Sequence, residues 1–148
     1  MTMDQETFVQ ERVVKQQKWY SKEAANNKKW FTRFKVAIII VAAMIPFATG
    51  FIDTYPELQY PIGAMAVIVV ILEGLVSFFK YQEKWIEYRS TSEALKKELS
   101  FFQYKVGPYE DQEIAFPLFV KQIEGILSDQ NENWREIAKQ QSGEKKEG

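Results

Sequence analysis

The residues best placed to do chemistry are Glu73, Ser77 and Lys80, which follow one another at helical spacing in and just after an apolar stretch. If residues 60–79 form one helix, its centre is near Val70, and Glu73 lies about 5 Å from that centre at helical rise. A carboxylate near the middle of a bilayer costs about 2.5–3.5 kcal/mol on insertion scales. A group at that depth needs a partner, a proton or water, so it is a functional candidate.

The residues leave three interpretations of Glu73 open. It lines a water-filled pathway through an oligomer, with Ala66 and Val70 on the same helical face; it is protonated and hydrogen-bonded to a neighbouring helix; or it pairs with a basic group such as Lys80. One helical hairpin cannot enclose a pore, so the first interpretation requires several copies around an axis. A ring of carboxylates would then favour cations.

Two apolar runs must position these groups. Residues 36–52 contain no charged residue, and residues 60–79 contain only Glu73. At helical rise the runs cover about 25 and 30 Å, close to a hydrocarbon core of about 30 Å. They predict transmembrane helices over 36–52 and 61–79, joined by an outer loop over 53–60. Pro46 falls within the first helix and predicts a kink.

Basic residues flank the apolar region on both sides. Seven lie between Lys15 and Lys35 and five between Lys80 and Lys97, whereas the connecting loop has two acidic residues and no basic one. By the positive-inside rule, both termini of this multi-pass protein are cytoplasmic. Trp85, Tyr88 and Arg89 then suit an anchor at the inner membrane surface, although Arg89 could instead form a salt bridge within a helical bundle.

Apolar residues at alternating spacings of 4 and 3 predict helices outside the membrane as well. One covers residues 4–35, the second span continues as one helix to residue 106, and a further helix covers 117–140. Residues 142–148 predict a disordered tail after a single domain over 1–141. The predicted fold class is all-α: an integral membrane hairpin of two transmembrane helices with cytoplasmic helical extensions and a C-terminal cytoplasmic helix.

Composition argues against enzyme chemistry. The chain has neither Cys nor His, which removes thiol chemistry and the usual transition-metal ligands. None of the glycines forms a phosphate-binding loop. We therefore predict a protein that is not an enzyme, with no catalytic residue, metal or cofactor. The predicted partners are the lipid bilayer, further copies of the chain and ions, without nucleic acid.

Two segments carry a family resemblance: QQKWYSKEAANN over 16–27 and KWIEYRSTSEALKKE over 84–98. With Trp19-Tyr20 in the first and Trp85, Tyr88 and Arg89 in the second, the chain resembles the SLATT-type bacterial proteins. The resemblance implies two transmembrane helices flanked by cytoplasmic helices, a bacterial inner membrane location and a predicted role as a pore-forming effector.

Together these features predict a small oligomeric membrane channel or pore that conducts cations, with Glu73 as the intramembrane glutamate. The alternative is a membrane-anchored interaction or signalling module whose cytoplasmic helices bind a partner.

Overall fold

The structure, a computed structural model, describes residues 2–144, with residues 137, 138 and 140–144 described by their backbone alone. Within that range the chain is helical and has no strand, which confirms the all-α prediction. The helices are α1 (Met3–Phe8), α2 (Lys15–Thr49), α3 (Gln59–Phe79), α4 (Tyr81–Tyr104) and α5 (Gln112–Glu144). A π-helical segment, Val9–Val14, joins α1 to α2, and short 3₁₀ turns occupy Pro56–Leu58 and Gly107–Tyr109.

The described residues fall into two compact units, and the single domain over 1–141 stays a prediction. Unit 1 consists of residues 2–22 and 88–144, and unit 2 is Glu23–Glu87. Of the predicted tail, residues 142–144 belong to α5, and residues 145–148 lie outside the described residues.

Unit 1 is built around a core of fully buried side chains. Val13, Leu95, Tyr109, Phe119 and Ile123 are inaccessible to solvent. The rings of Phe102 and Phe119 stack with their centroids 4.3 Å apart. Because α4, α5 and the N-terminal segment all supply members of this core, burial of apolar area is the main source of stability in unit 1.

Unit 2 differs from unit 1 in where its apolar residues lie. Its apolar side chains are mostly exposed, for example Phe47 at 71%. Two helical stretches, Met3–Thr49 and Pro56–Tyr104, contain windows long and apolar enough to cross a membrane, and only 6% of each window is buried. The core helix of a soluble protein normally buries its apolar stripe, so the chain has two membrane-span candidates whose apolar surface is left uncovered.

The predicted uninterrupted helix from 61 to 106 is broken at Lys80 and ends at Tyr104. Lys80 has left-handed backbone angles, φ 49° and ψ 43°, so α3 ends at Phe79 and α4 begins at Tyr81. This conformation costs a non-glycine residue roughly 1–2 kcal/mol. The Lys84 amide donates to the Lys80 carbonyl at 3.0 Å, so helical hydrogen bonding resumes at once. The break therefore leaves the apolar spacing unchanged and cannot be detected from it.

Helix α5 begins five residues before the predicted start at 117. The Asp111 carboxylate accepts a hydrogen bond from the Glu113 amide at 3.0 Å, which caps the helix N-terminus. Pro117 lies inside α5 rather than at its first position. Proline is tolerated in a first turn, but here the capping Asp111 determines where the helix starts.

Candidate functional site

The candidate site is an ion pair between Lys35 of α2 and Glu73 of α3, both in unit 2. The Lys35 ammonium nitrogen lies 2.9 Å from each Glu73 carboxylate oxygen. The sequence suggested Lys80 as an example of a basic partner. In the described part of the chain, Lys80 makes no ion pair, and Glu73 pairs with Lys35 instead.

An antiparallel arrangement of α2 with α3 and the start of α4 explains this pairing. Earlier residues of α2 meet later residues beyond the connection: Lys35 meets Glu73, and the Phe34 ring stacks on Tyr81 with centroids 5.9 Å apart. Thr54 is equidistant in sequence from Lys35 and Glu73, 19 residues from each. In a hairpin, residues equidistant from the turn face each other, so Lys35 faces Glu73 once the turn is centred on Thr54, whereas the predicted loop over 53–60 is centred nearer α3.

The ion pair lies on the surface of unit 2. The side chains of Lys35 and Glu73 are 37% and 46% exposed, in a stretch where apolar side chains are exposed as well. Exposed ion pairs in water contribute about 0–1 kcal/mol because water competes for both charges. Next to hydrocarbon no such competition exists, and the same pair would be held far more tightly.

The remaining pore candidates lie on the open side of α3. Ala66, Val70 and Ser77 are exposed, whereas a neighbouring stripe is partly or fully buried: Ile62, Met65, Val69, Leu72 and Val76. A Cβ atom added at Gly63 or Gly74 would meet nothing within 4 Å. The face of α3 that carries the predicted pore residues therefore has mostly small side chains, and no other part of unit 2 covers it.

Ser77 and Lys80 form no hydrogen bond with Glu73 among the described residues. Pro46 lies inside α2 on an exposed side, and one turn later the Thr49 hydroxyl donates to the Ile45 carbonyl at 2.7 Å. Among the predicted pore and kink residues of the described chain, only Glu73 has a charged partner, Lys35.

The predicted anchor residues fall into both units. In unit 2 the Lys28 ammonium lies 5.3 Å from the centroid of the Trp85 ring. In unit 1 the Tyr88 ring contacts Trp19, Tyr20 and Trp134. Arg89 lies 3.9 Å from Glu93 on the exposed surface of α4. The salt-bridge interpretation of Arg89 therefore has a partner, although a pair this long and exposed contributes little.

Unit 1 contains polar contacts that the sequence did not indicate. Arg12 binds both carboxylate oxygens of Glu124, at 2.8 and 2.9 Å, and the hydrogen bond from Arg12 lowers the pKa of Glu124. Burial, followed by a hydrogen bond to Glu98, raises the pKa of Tyr109. Each contact joins residues far apart in sequence or separated by a loop, so no local spacing reveals it.

Buried polar groups connect α4 to its neighbours in unit 1. The Thr91 hydroxyl donates to the side-chain oxygen of Gln130, and the Gln17 amide donates to the Ser92 hydroxyl at 3.1 Å. Across residues 2–144, no group of three or more acidic side chains could hold a metal ion. These contacts are explained by packing between helices and offer no reacting group.

Comparison with known proteins finds one family. Residues 15–115 match the profile of a family described as protein of unknown function (DUF4231). The match covers about two thirds of the 148-residue chain and includes both candidate spans, Lys35 and Glu73. Neither the curated proteins nor the solved structures contain a match to this chain.

Proposed function

This chain belongs to the DUF4231 family of proteins of unknown function, and we propose that it is a two-span membrane protein that assembles as a homo-oligomer and conducts cations. In this proposal α2 and α3 cross a bacterial inner membrane, and both termini are cytoplasmic. Lys35 and Glu73 control the conducting pathway.

Uncovered apolar surface supports the membrane location. Large side chains such as Ile39, Phe47 and Phe78 are exposed on unit 2. A soluble monomer rarely exposes more than a few hundred Å² of contiguous apolar surface, and a bilayer would cover this surface at no cost. The basic residues on both flanks and the acidic connecting loop support the orientation.

The observation that carries the oligomer is the half-exposed ion pair. In a single hairpin placed in lipid, the exposed side of Glu73 would face hydrocarbon, which does not solvate its charge, and Lys35 lies one residue before the apolar run. A second copy, or water enclosed by several copies, removes that penalty. The open face of α3 beside the pair, with Gly63 and Gly74, allows another helix to approach closely.

The ion pair also suggests how conduction is controlled. A Lys ammonium is a tethered cation, and in the structure it occupies both oxygens of the Glu73 carboxylate. A permeating cation would need the same oxygens and must therefore displace Lys35. The closed state has Lys35 on Glu73, and the open state has the carboxylates free to attract cations into the pathway.

The resemblance to SLATT-type proteins agrees with this proposal, because members of that group are predicted to form pores. The resemblance does not indicate which stimulus would open the pore.

The test is ion flux in vesicles containing purified protein. We expect Lys35→Gln to increase cation flux, since it removes the tethered cation, and Glu73→Gln to abolish cation selectivity. Glu57→Gln, in the exposed connection between α2 and α3, is the matched control and should behave as the parent. Absence of flux from inserted protein in all four forms would reject the channel.

A second function is favoured by unit 1, which has its own buried core. This core could present a stable surface to a partner while unit 2 serves only as an anchor. In that case purified protein is inert in flux assays, and substitutions on the exposed polar face of α4, such as Arg89→Gln with Glu93→Gln, abolish capture of the partner.

A further inference from the structure

Unit 2 carries a group of unpaired cations next to its apolar stretch, which we call the basic collar: Lys28, Lys29 and Arg33 of α2. All three side chains are exposed. Arg33 is three residues from Val36, where the apolar run begins, and Lys28 is eight residues away. At helical rise these separations are about 4.5 and 12 Å along the axis.

The stretch of α2 around the collar has no acidic residue of its own, while Glu83 and Glu87 of unit 2 lie two residues either side of Trp85 in sequence. Residues 24–52 contain no Asp or Glu. Arg12, Lys15, Lys35 and Arg89 each have an acidic partner, whereas the collar residues, like Lys96 and Lys97 of α4, form no ion pair with any described residue. Three exposed positive charges within six residues of one helix, none ion-paired with a described residue, favour anions in their surroundings.

Aromatic rings hold two of the collar cations in place. Lys28 lies over the Trp85 ring at 5.3 Å, and Arg33 lies over the Trp30 ring at 5.7 Å. Trp30 also contacts Phe34, which stacks on Tyr81. Tryptophan and tyrosine prefer the boundary between hydrocarbon and headgroups, so these rings place the cations at headgroup depth.

We propose that the basic collar binds the phosphate of anionic phospholipid headgroups in the cytoplasmic leaflet. The proposal rests on the membrane location of unit 2 and adds a preferred lipid class to it. Charge complementarity identifies the occupant: the phosphate of any phospholipid offers acceptor oxygens to guanidinium and ammonium groups, but only an anionic lipid lacks a headgroup ammonium that repels the collar. The headgroup layer, about 5–8 Å thick on each side of the bilayer, overlaps the axial range of the collar.

The test uses vesicles that contain a brominated lipid, because bromine on the acyl chain quenches nearby tryptophans such as Trp30 and Trp85. The two probes are brominated phosphatidylglycerol, which is anionic, and brominated phosphatidylcholine, which is zwitterionic. The ratio of their quenching gives the lipid preference. The parent should prefer phosphatidylglycerol by at least about fivefold, the contribution of one engaged cation.

The collar variant Lys28→Gln/Lys29→Gln/Arg33→Gln should bring that ratio close to one. A matched variant, Lys96→Gln/Lys97→Gln/Lys121→Gln, changes the net charge equally in unit 1 and should keep the preference. The swap Lys28→Arg/Lys29→Arg/Arg33→Lys keeps the charges and should keep it as well.

Equal quenching of the parent by both lipids overturns the collar while leaving the membrane location intact. Loss of the preference in the matched variant, or on adding excess soluble glycerol phosphate, also overturns the assignment to a leaflet headgroup. Quenching by neither lipid shows that the protein is not inserted, and it rejects the membrane proposal together with the collar.

Discussion

Units 1 and 2 use similar apolar side chains in opposite ways. Phe119 of unit 1 is completely buried, whereas Phe47 of unit 2 is 71% exposed. Both residues lie on long helices, so helix formation alone does not decide their environment. Unit 1 is therefore stabilised by contacts within the chain, whereas unit 2 leaves on its surface the apolar side chains of two candidate membrane spans.

We expect the largest difference in stability when the same substitution, Phe to Ala, is made in each unit. Phe119→Ala removes a ring stacked on Phe102 in a closed core, and we expect it to lower the free energy of unfolding by about 3–5 kcal/mol. Phe47→Ala removes an exposed ring and should change it by less than about 1 kcal/mol. Chemical denaturation of detergent-solubilised protein measures both. Similar losses for the two variants would contradict the difference in burial.

A double-mutant cycle tests whether hydrocarbon or water surrounds the ion pair. Lys35→Met leaves the Glu73 carboxylate without its partner, Glu73→Gln leaves the Lys35 ammonium alone, and the double variant removes both charges. In lipid we expect a coupling energy of about 1–3 kcal/mol, typical of residues in direct contact. The measurement is reversible unfolding in bicelles. A coupling below about 0.5 kcal/mol is typical of a pair exposed to water and would show that water, not hydrocarbon, surrounds the pair.

Lys80 offers a smaller test, at the end of the candidate span. Glycine adopts the left-handed conformation without steric cost, so Lys80→Gly should raise the free energy of unfolding by up to about 1 kcal/mol. Lys80→Ala keeps the steric cost and is the control. If glycine were no better than alanine in thermal unfolding, the break between α3 and α4 would not be left-handed.

The smallest effect is expected from the Arg12–Glu124 pair on the surface of unit 1. The pKa of Glu124 is lower in the folded protein than its ordinary value of 4.5, so the pair stabilises the fold above that pH and the contribution is lost as the pH falls through the folded pKa. Both side chains are nearly half exposed, which limits the contribution to about 0–1 kcal/mol. Glu124→Gln should flatten the acid side of the stability profile. Unchanged acid sensitivity in this variant would refute the role of the pair.

Much of the fold follows from local patterns. The uncharged run over 36–52 and the 4 and 3 spacing after it predict the long helices, because helix periodicity and chain length act over a few residues at a time. The left-handed residue at Lys80 escaped prediction because one residue of different backbone conformation leaves that spacing intact. Aspartate is a common N-cap residue, so Asp111 could have indicated the start of α5. The prediction used Pro117 instead and placed the start too late.

The candidate site was only half predictable. Glu73 stands out because a charge is rare in an apolar run. Lys35 does not, because it is one of seven basic residues between Lys15 and Lys35 and is easily taken for an interfacial charge. Its role depends on which residue of α3 faces it across the hairpin, and that requires the position of the turn. The buried contact of Thr91 with Gln130 depends on the same kind of long-range register.

The most direct test of the membrane hairpin is cysteine accessibility, since the chain contains no native Cys. Phe47→Cys, Glu57→Cys and Lys97→Cys are made singly and treated in intact bacterial cells with a thiol reagent that cannot cross membranes. We predict that Glu57→Cys reacts once the reagent reaches the outer face, that Lys97→Cys reacts only after the cells are permeabilised, and that Phe47→Cys stays unreactive in both conditions. Reaction of Phe47→Cys as fast as Lys97→Cys in permeabilised cells would contradict the membrane hairpin.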